Sequence, residues 1–201
     1  MRLGGQDKAL LSLGDESLIQ RAVRRLAPVS TEIIIAASSA HASYPIDCLK
    51  MRIVGDLYPG KGSLGGIYSG LTASASFHSL VVACDMPFLN LDLLGYMREL
   101  AGPFDVVIPR IEGQTEALHA IYSKKCLGPM EELLKQDKLK IIDFFDRVTV
   151  RYVEREEIEW FDPEHLSFFN INTPEELERA RALVAQERDT GLGRRLKGDK
   201  R

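Results

Sequence analysis

Cysteine is scarce in this chain. Cys48, Cys84 and Cys126 are its three cysteines; they stand far apart and form no CxxC pair. An odd, scattered set excludes a disulfide framework and a thiolate zinc site, and it fits a reducing cytoplasm. Long apolar runs are absent too: nothing approaches the roughly 18 residues of a membrane span. The opening MRLGGQDKALL is glycine-rich and charged, without the apolar core of a signal peptide. Neither sign of charge dominates, and a net charge of −3 gives no support to nucleic-acid binding. There is no GxxxxGK[ST] phosphate loop, no Ser-His-Asp grouping, no carboxylate pair at short spacing, no internal repeat and no internal linker.

What is present suits one globular domain. The 201 residues are 45% hydrophobic and 27% charged, enough to bury a sizeable core. LIQRAVRRL (18–26) has helical apolar spacing with Ser17 as its cap. EIIIAA (32–37), MRIV (51–54), LVVAC (80–84) and DVVIP (105–109) are short apolar runs of the kind found in buried parallel strands. ALHAIY (117–122) and residues 148–153 read as further strands. Residues 91–100, 126–134 and 138–145 read as helices. TPEELERARALV (173–184) opens with a Thr cap, Pro at the first helical position and Glu three residues after the cap. Strands alternating with helices predict an α/β protein with a mostly parallel sheet. From about Gln186 the chain turns charged and aperiodic, which predicts a disordered tail.

In such sheets ligands bind beyond the carboxyl ends of the strands, and chemistry-bearing residues cluster there. Asp85 ends LVVAC at the turn Asp85-Met86-Pro87. A carboxylate held there can ligate Mg²⁺ or cap the turn. Lys8 follows Gly4, Gly5, Gln6 and Asp7, as a point charge for phosphate or as a solvated lysine. GKGSLGGI (60–67), with Gly62 and Gly65, offers helix-start amides to an anion or close packing of helix on sheet. Asp56 follows MRIV, as a ligand contact or a turn residue. In FFNINTPEEL (168–177), Asn170 and Asn172 face one way in an extended segment; they hold a ligand or satisfy loop backbone groups. His119 reads as core or rim, Glu116 as a weak substrate contact, and Cys84 as a small buried apolar residue.

Taken in order, RLGGQDKALL, GDESLIQR, VGDLYPGKGSLGGI, VVACDMPFL, EALHAIY and FFNINTPEEL resemble the molybdenum cofactor guanylyltransferases, within the wider nucleotidyltransferase group. The resemblance covers almost the whole chain. It implies a Rossmann-like three-layer α/β/α fold, with residues 1–186 as the nucleotidyltransferase domain and 187–201 as the tail. It implies transfer of GMP from GTP to molybdenum-molybdopterin, with Mg²⁺ on Asp85, Lys8 on the phosphates, and Asp56 accepting the guanine N–H edge. Gly4, Gly5, Gly62 and Gly65 would let backbone approach the ligands, and Asn170 and Asn172 would line the pterin-phosphate side or the metal's outer shell. It also implies molybdoenzymes or cofactor-assembly proteins as partners. Relative to the family pattern, the first strand and its LAGG loop are not in this chain. That predicts open edges on the neighbouring strands and a start upstream of Met1, or else a short form that has lost catalysis. Ala36-Ala37-Ser38-Ser39 stands where some relatives carry an Asn near the base. A related cytidylyltransferase, a sugar-phosphate nucleotidyltransferase and a non-catalytic molybdopterin-binding protein are the alternatives.

Overall fold

The computed structural model describes residues 7–38, Tyr44, Ile46 and 51–189. Gly4, Gly5, Cys48, Ser39 and the tail from residue 190 lie outside the described residues. A 3-10 turn at Lys8–Leu10 leads into a small hairpin, β1 (Ser12–Leu13) and β2 (Glu16–Ser17). Its two-residue connection carries Gly14 at φ 69°, the first central position where hairpin turns favour glycine. Helix α1 (Leu18–Leu26) follows directly. Ser17 and Gln20 close a reciprocal capping box at its start, satisfying two otherwise orphaned amides.

Strands β3 (Ile33–Ala37) and β4 (Met51–Gly55) pair in parallel, Ile35 opposite Ile53. Helix α2 (Gly62–Ala73) packs across them. Then come β5 (His78–Val82), α3 (Leu91–Leu100), β6 (Val106–Ile111), the two-residue β7 (Gln114–Thr115), β8 (His119–Ser123) and α4 (Leu127–Lys135). The segment 141–147 is a 3-10 helix. β9 (Val150–Glu154), α5 (Arg155–Glu159) and α6 (Pro174–Asp189) complete the order. Helix α6 runs past the tail boundary expected at Gln186.

The second sheet places β8 between β5 and β6, with β9 parallel to β6. Both central strands are buried on both faces. Val106, Ile108, Ala120 and Tyr122 face α2 and α4, while Val107 and Ile121 face α3 and α5. Period-two alternation thus serves two apolar layers at once. Each fully buried Val or Ile contributes roughly 1.5–3 kcal/mol relative to exposure.

Strand direction differs from the sequence expectation. Of the described pairings, β3–β4 and β6–β9 are parallel; β1–β2, β5–β8, β6–β7 and β6–β8 are antiparallel. A mostly parallel sheet is therefore not what these residues form. The cause is local. Glu112 and Gly113 adopt positive φ and turn β6 straight back through β7, and a short hairpin connection permits only antiparallel return. The helix expected at 138–145 is a 3-10 helix at Ile141–Arg147.

Between the two larger sheets lies a cavity of about 1110 Å³. Every residue of β3 and of β5 lines it. Side chains alternate between faces along a strand, so a cavity touching all five residues of each strand runs along their edges. Among the described residues β3 pairs only with β4, and β5 only with β8. Ile19, Ile67, Leu94 and Ile121 make the interior of the cavity apolar, and Asp7, Asp56 and Asp85 sit on its wall near the carboxyl ends of the strands.

Candidate active site

Asp85 stands past the end of β5 rather than at its last residue. The ladder continues by one bond, Ala83 N–H to Leu118 O at 3.0 Å, and the chain then turns with Met86 N–H on Ala83 O at 3.4 Å. The turn is fixed from two sides. Ile171 N–H donates to Asp85 O at 3.0 Å. From α1, Arg21 Nε donates to Pro87 O and Arg25 Nη1 to Leu89 O, each at 2.8 Å. These arginines are four residues apart and share one helix face. The Arg21 guanidinium also lies 5.4 Å from the Phe88 ring centroid.

Lys8 sits in the 3-10 turn capped by Asp7, whose Oδ1 accepts from Ala9 N–H at 3.1 Å. Its Nζ donates to Asn172 Oδ1 at 2.6 Å and lies 3.5 Å from Asp85 Oδ2. Asn172 is held by the start of α6. Its N–H and that of Thr173 both donate to Glu176 Oε2, and Glu176 N–H returns to Thr173 Oγ1. Three residues singled out from sequence, Lys8, Asp85 and Asn172, therefore meet in space from three separate segments. Asn170 does not join them through its amide, which donates to Phe168 O at 3.2 Å.

Asp56 extends the β3–β4 ladder, its N–H donating to Ala37 O at 3.0 Å. Its carboxylate lines the cavity, with Oδ1 3.1 Å from Ser69 Oγ on α2. The glycine loop before α2 uses Gly60 and Gly62 at φ 79° and 58°, conformations glycine adopts without strain. The helix starts without a side-chain cap, so its first amides are available to an anion, and Gly62, Ser63 and Gly66 line the cavity. Gly65 packs elsewhere: a Cβ there would come within 3.0 Å of Tyr58 O. Lys61 pairs with Asp137 at 2.8 Å and Tyr58 OH donates to Glu131 at 3.1 Å, tying the loop to α4 and its exit.

The Cys84 thiol and the His119 imidazole are unsuited to nucleophilic or base chemistry. Burial and the neighbouring Asp85 and Asp7 charges push the Cys84 thiol up to about 11. His119 is fully buried beside Phe168, and burial pushes its imidazole down to about 4. Burial also raises the Glu116 carboxyl. No group of three or more His, Cys, Asp or Glu that could hold a metal occurs among the described residues. No helix among them is long and apolar enough to cross a membrane.

Four contributors were not foreseen from sequence. Tyr44 OH donates to Asp7 Oδ2 at 3.4 Å on the cavity wall. Arg21 and Arg25 clamp the Asp85 turn, and Ser69 braces Asp56. A buried arginine on an otherwise amphipathic helix carries no periodic signal, though the spacing of Arg21 and Arg25 placed both on one face.

A carboxylate beside a lysine just past the end of a strand, on a cavity that an uncapped helix start also lines, is an arrangement suited to a phosphate-bearing ligand. Residues 1–150 match the MobA-like NTP transferase domain family, and the chain is a nucleotidyltransferase of that class. Over 184 residues it is 40% identical to the probable molybdenum cofactor guanylyltransferase of Pelotomaculum thermopropionicum, covering 92% of this chain and 88% of that protein. It is 33% identical to the molybdenum cofactor guanylyltransferase of Desulfosudis oleivorans over 91% of this chain and 90% of the other. The crystal structure of molybdopterin-guanine dinucleotide biosynthesis protein A from Archaeoglobus fulgidus superposes with a TM-score of 0.76 at 29% identity, covering 90% and 92% of the two chains. The 2-C-methyl-D-erythritol 4-phosphate cytidylyltransferase of Thermus thermophilus shares the fold, with a TM-score of 0.67 at 16% identity over 89% and 94%. The chain belongs to the molybdenum cofactor guanylyltransferase family.

Proposed function

We propose that this chain transfers GMP from GTP to the terminal phosphate of molybdenum-molybdopterin, releasing pyrophosphate. The observation that carries the reading is the meeting of Lys8 and Asn172 with Asp85, a residue of the cavity wall, in a chain 40% identical to a relative named for guanylyl transfer. A phosphate oxygen of the acceptor attacks the α-phosphorus of GTP. The bond from that phosphorus to the β-phosphate oxygen breaks, and pyrophosphate leaves with the electron pair. The attacking phosphate is already anionic, so no general base is required, in keeping with the inert Cys84 thiol and His119 imidazole. Catalysis is then positioning and charge stabilisation.

Each residue has a defined part. Lys8, oriented by Asn172, pairs with the phosphates. The uncapped amides of α2 receive further anionic oxygen. Asp56 accepts from the N–H edge of guanine. Asp7, Asp56 and Asp85 line the cavity, and Lys8 lies 3.5 Å from Asp85 Oδ2; a triphosphate entering beside these carboxylates is favoured by an accompanying divalent cation. The hard oxygens of Asp85 and Asn172 suit Mg²⁺, which takes one or two carboxylates plus phosphate oxygens. When bound, the ion supplies neutralisation of the phosphate charge. The setting is the cytoplasm, and the partners are cofactor-assembly proteins or molybdoenzymes that receive the product.

A titration with Mg-GTP beside Mg-CTP tests this. Tighter binding of GTP supports it; preference for CTP assigns the chain to cytidylyl transfer. Molybdopterin binding without any nucleotide binding would make it a cofactor-binding protein.

A further inference from the structure

Ser69 lies inside α2, one turn after Gly65, with 2% of its surface exposed. Its hydroxyl meets three groups. Oγ accepts from Leu57 N–H at 2.9 Å, and it faces Gly65 O at 2.7 Å and Asp56 Oδ1 at 3.1 Å. A hydroxyl has one proton, so that proton is shared between the helix carbonyl and the carboxylate. The helix packs closely on this turn at Gly65, where a Cβ would lie 3.0 Å from Tyr58 O and 3.7 Å from Asp56 Oδ1. Asp56 is thereby held twice, by its main chain on Ala37 O and by one carboxylate oxygen on Ser69. Among the described residues its Oδ2 has no hydrogen-bond donor, and the residue lines the cavity.

We infer that Ser69 is a positioning residue that sets nucleobase specificity, by fixing the Asp56 carboxylate in the orientation that reads a purine carrying both a ring N–H and an exocyclic amine on one edge. The inference rests on the proposed role of Asp56. A carboxylate free to rotate about its side chain still attracts a donor. Only a fixed one meets two adjacent, coplanar donors together. Guanine offers both; hypoxanthine keeps the ring N–H and lacks the amine. Discrimination between GTP and ITP therefore measures the orientation of the carboxylate, not merely its presence. Ser69 touches no ligand in this account and acts wholly through Asp56.

The experiment is equilibrium binding of Mg-GTP and Mg-ITP to the full chain and to Ser69→Ala, Ser69→Thr and Asp56→Asn. The ratio of the two dissociation constants is taken within each variant. Ser69→Ala is expected to lower the preference for GTP by about tenfold, one net hydrogen bond in worth, with ITP binding little changed. Ser69→Thr keeps the hydroxyl and retains the preference. Should Ser69→Ala bind neither nucleotide, Ser69→Cys, which keeps about the volume but only a weak donor, takes its place, with a smaller loss of the GTP preference in the same direction expected. Equal weakening of GTP and ITP in these variants overturns the inference and leaves Ser69 as a brace between α2 and the turn. An unchanged ratio in Asp56→Asn strikes instead at the base-reading role of Asp56, and the two failures are distinguishable.

Discussion

Lys8 Nζ and Asn172 Oδ1 stand 2.6 Å apart although 164 positions separate them in the chain. The same ammonium is 3.5 Å from Asp85 Oδ2. A lysine shared between a neutral amide and a carboxylate is charged, oriented and only partly neutralised. It can turn to an entering phosphate without leaving a charge stranded. A charge-assisted hydrogen bond is worth about 1.5–3 kcal/mol. Lys8→Met is therefore expected to weaken Mg-GTP binding about 10- to 100-fold, with Asn172→Ala giving a smaller loss in the same direction. Titration calorimetry on the two variants checks this, and undiminished binding in Lys8→Met removes Lys8 from the phosphate site.

Asp85 separates chemistry from structure unusually well. Its structural bond is made by its backbone carbonyl, which accepts from Ile171 N–H, so a side-chain substitution leaves that link in place. Asp85→Ala should keep the melting temperature within a few degrees while abolishing Mg²⁺-dependent release of pyrophosphate from GTP. Retained Mg²⁺-dependent turnover would refute the metal role.

Local signals were legible wherever one short segment determines the outcome. The Ser17 cap, the Thr173–Glu176 box and the apolar strand β3 are all set by neighbours within a few residues. Of the residues singled out through motif order, Lys8, Asp85 and Asn172 converge in space. What the residues did not disclose depends on distant pairing. β5 runs His78–Val82 rather than 80–84, because pairing sets His78 opposite Ser123 and Val82 opposite His119; Asp85 is left in the turn beyond. Antiparallel β8 follows from positive φ at Glu112, which no local preference of glutamate would suggest. Arg21, Arg25 and Ser69 act on turns more than ten residues away, and their roles appear only once the helices are docked.

Arg21 and Arg24 share Glu16 as a partner but should differ in worth. Arg21 is 4% exposed at its side chain and also carries the carbonyl of Pro87; Arg24 is 50% exposed. Burial alone would raise the Glu16 carboxyl, but hydrogen bonds and charge from both arginines hold it below its usual range. Arg21→Met leaves a carbonyl without its donor and should cost about 2 kcal/mol. Arg24→Met should cost less than about 1 kcal/mol. Urea unfolding of both variants tests the ranking, and equal effects would contradict it.

The open edges of β3 and β5 make a prediction about exchange. β8 lies between two strands, so its amides should exchange only on global unfolding. In β3 and β5, amides directed away from β4 and β8 have no strand partner among the described residues, and should exchange orders of magnitude faster than their neighbours. Residue-resolved hydrogen exchange over 33–37 and 78–82 should show this alternation; uniform protection would mean that both edges are covered.

His119 supplies a stability term with a defined sign. It is fully buried, its ring centroid lies 4.8 Å from that of Phe168 at a 56° tilt, and among the described residues neither ring nitrogen has a hydrogen-bond partner. Burial pushes its pKa down to about 4 from an ordinary 6.5. Between those values the unfolded chain binds a proton that the native protein refuses, so stability rises with pH across the window and is lost on acidification. The loss amounts to roughly 3 kcal/mol when complete. Glu116 acts oppositely: burial raises its carboxyl, so the native state holds that proton longer and loses stability as pH climbs past the ordinary carboxylate range. The two are separated by His119→Phe, which keeps an aromatic ring against Phe168 and cannot titrate. Denaturant midpoints of the wild-type chain should fall more steeply from pH 6.5 to pH 4 than those of the variant. Parallel curves would mean that His119 takes up its proton without unfolding the core.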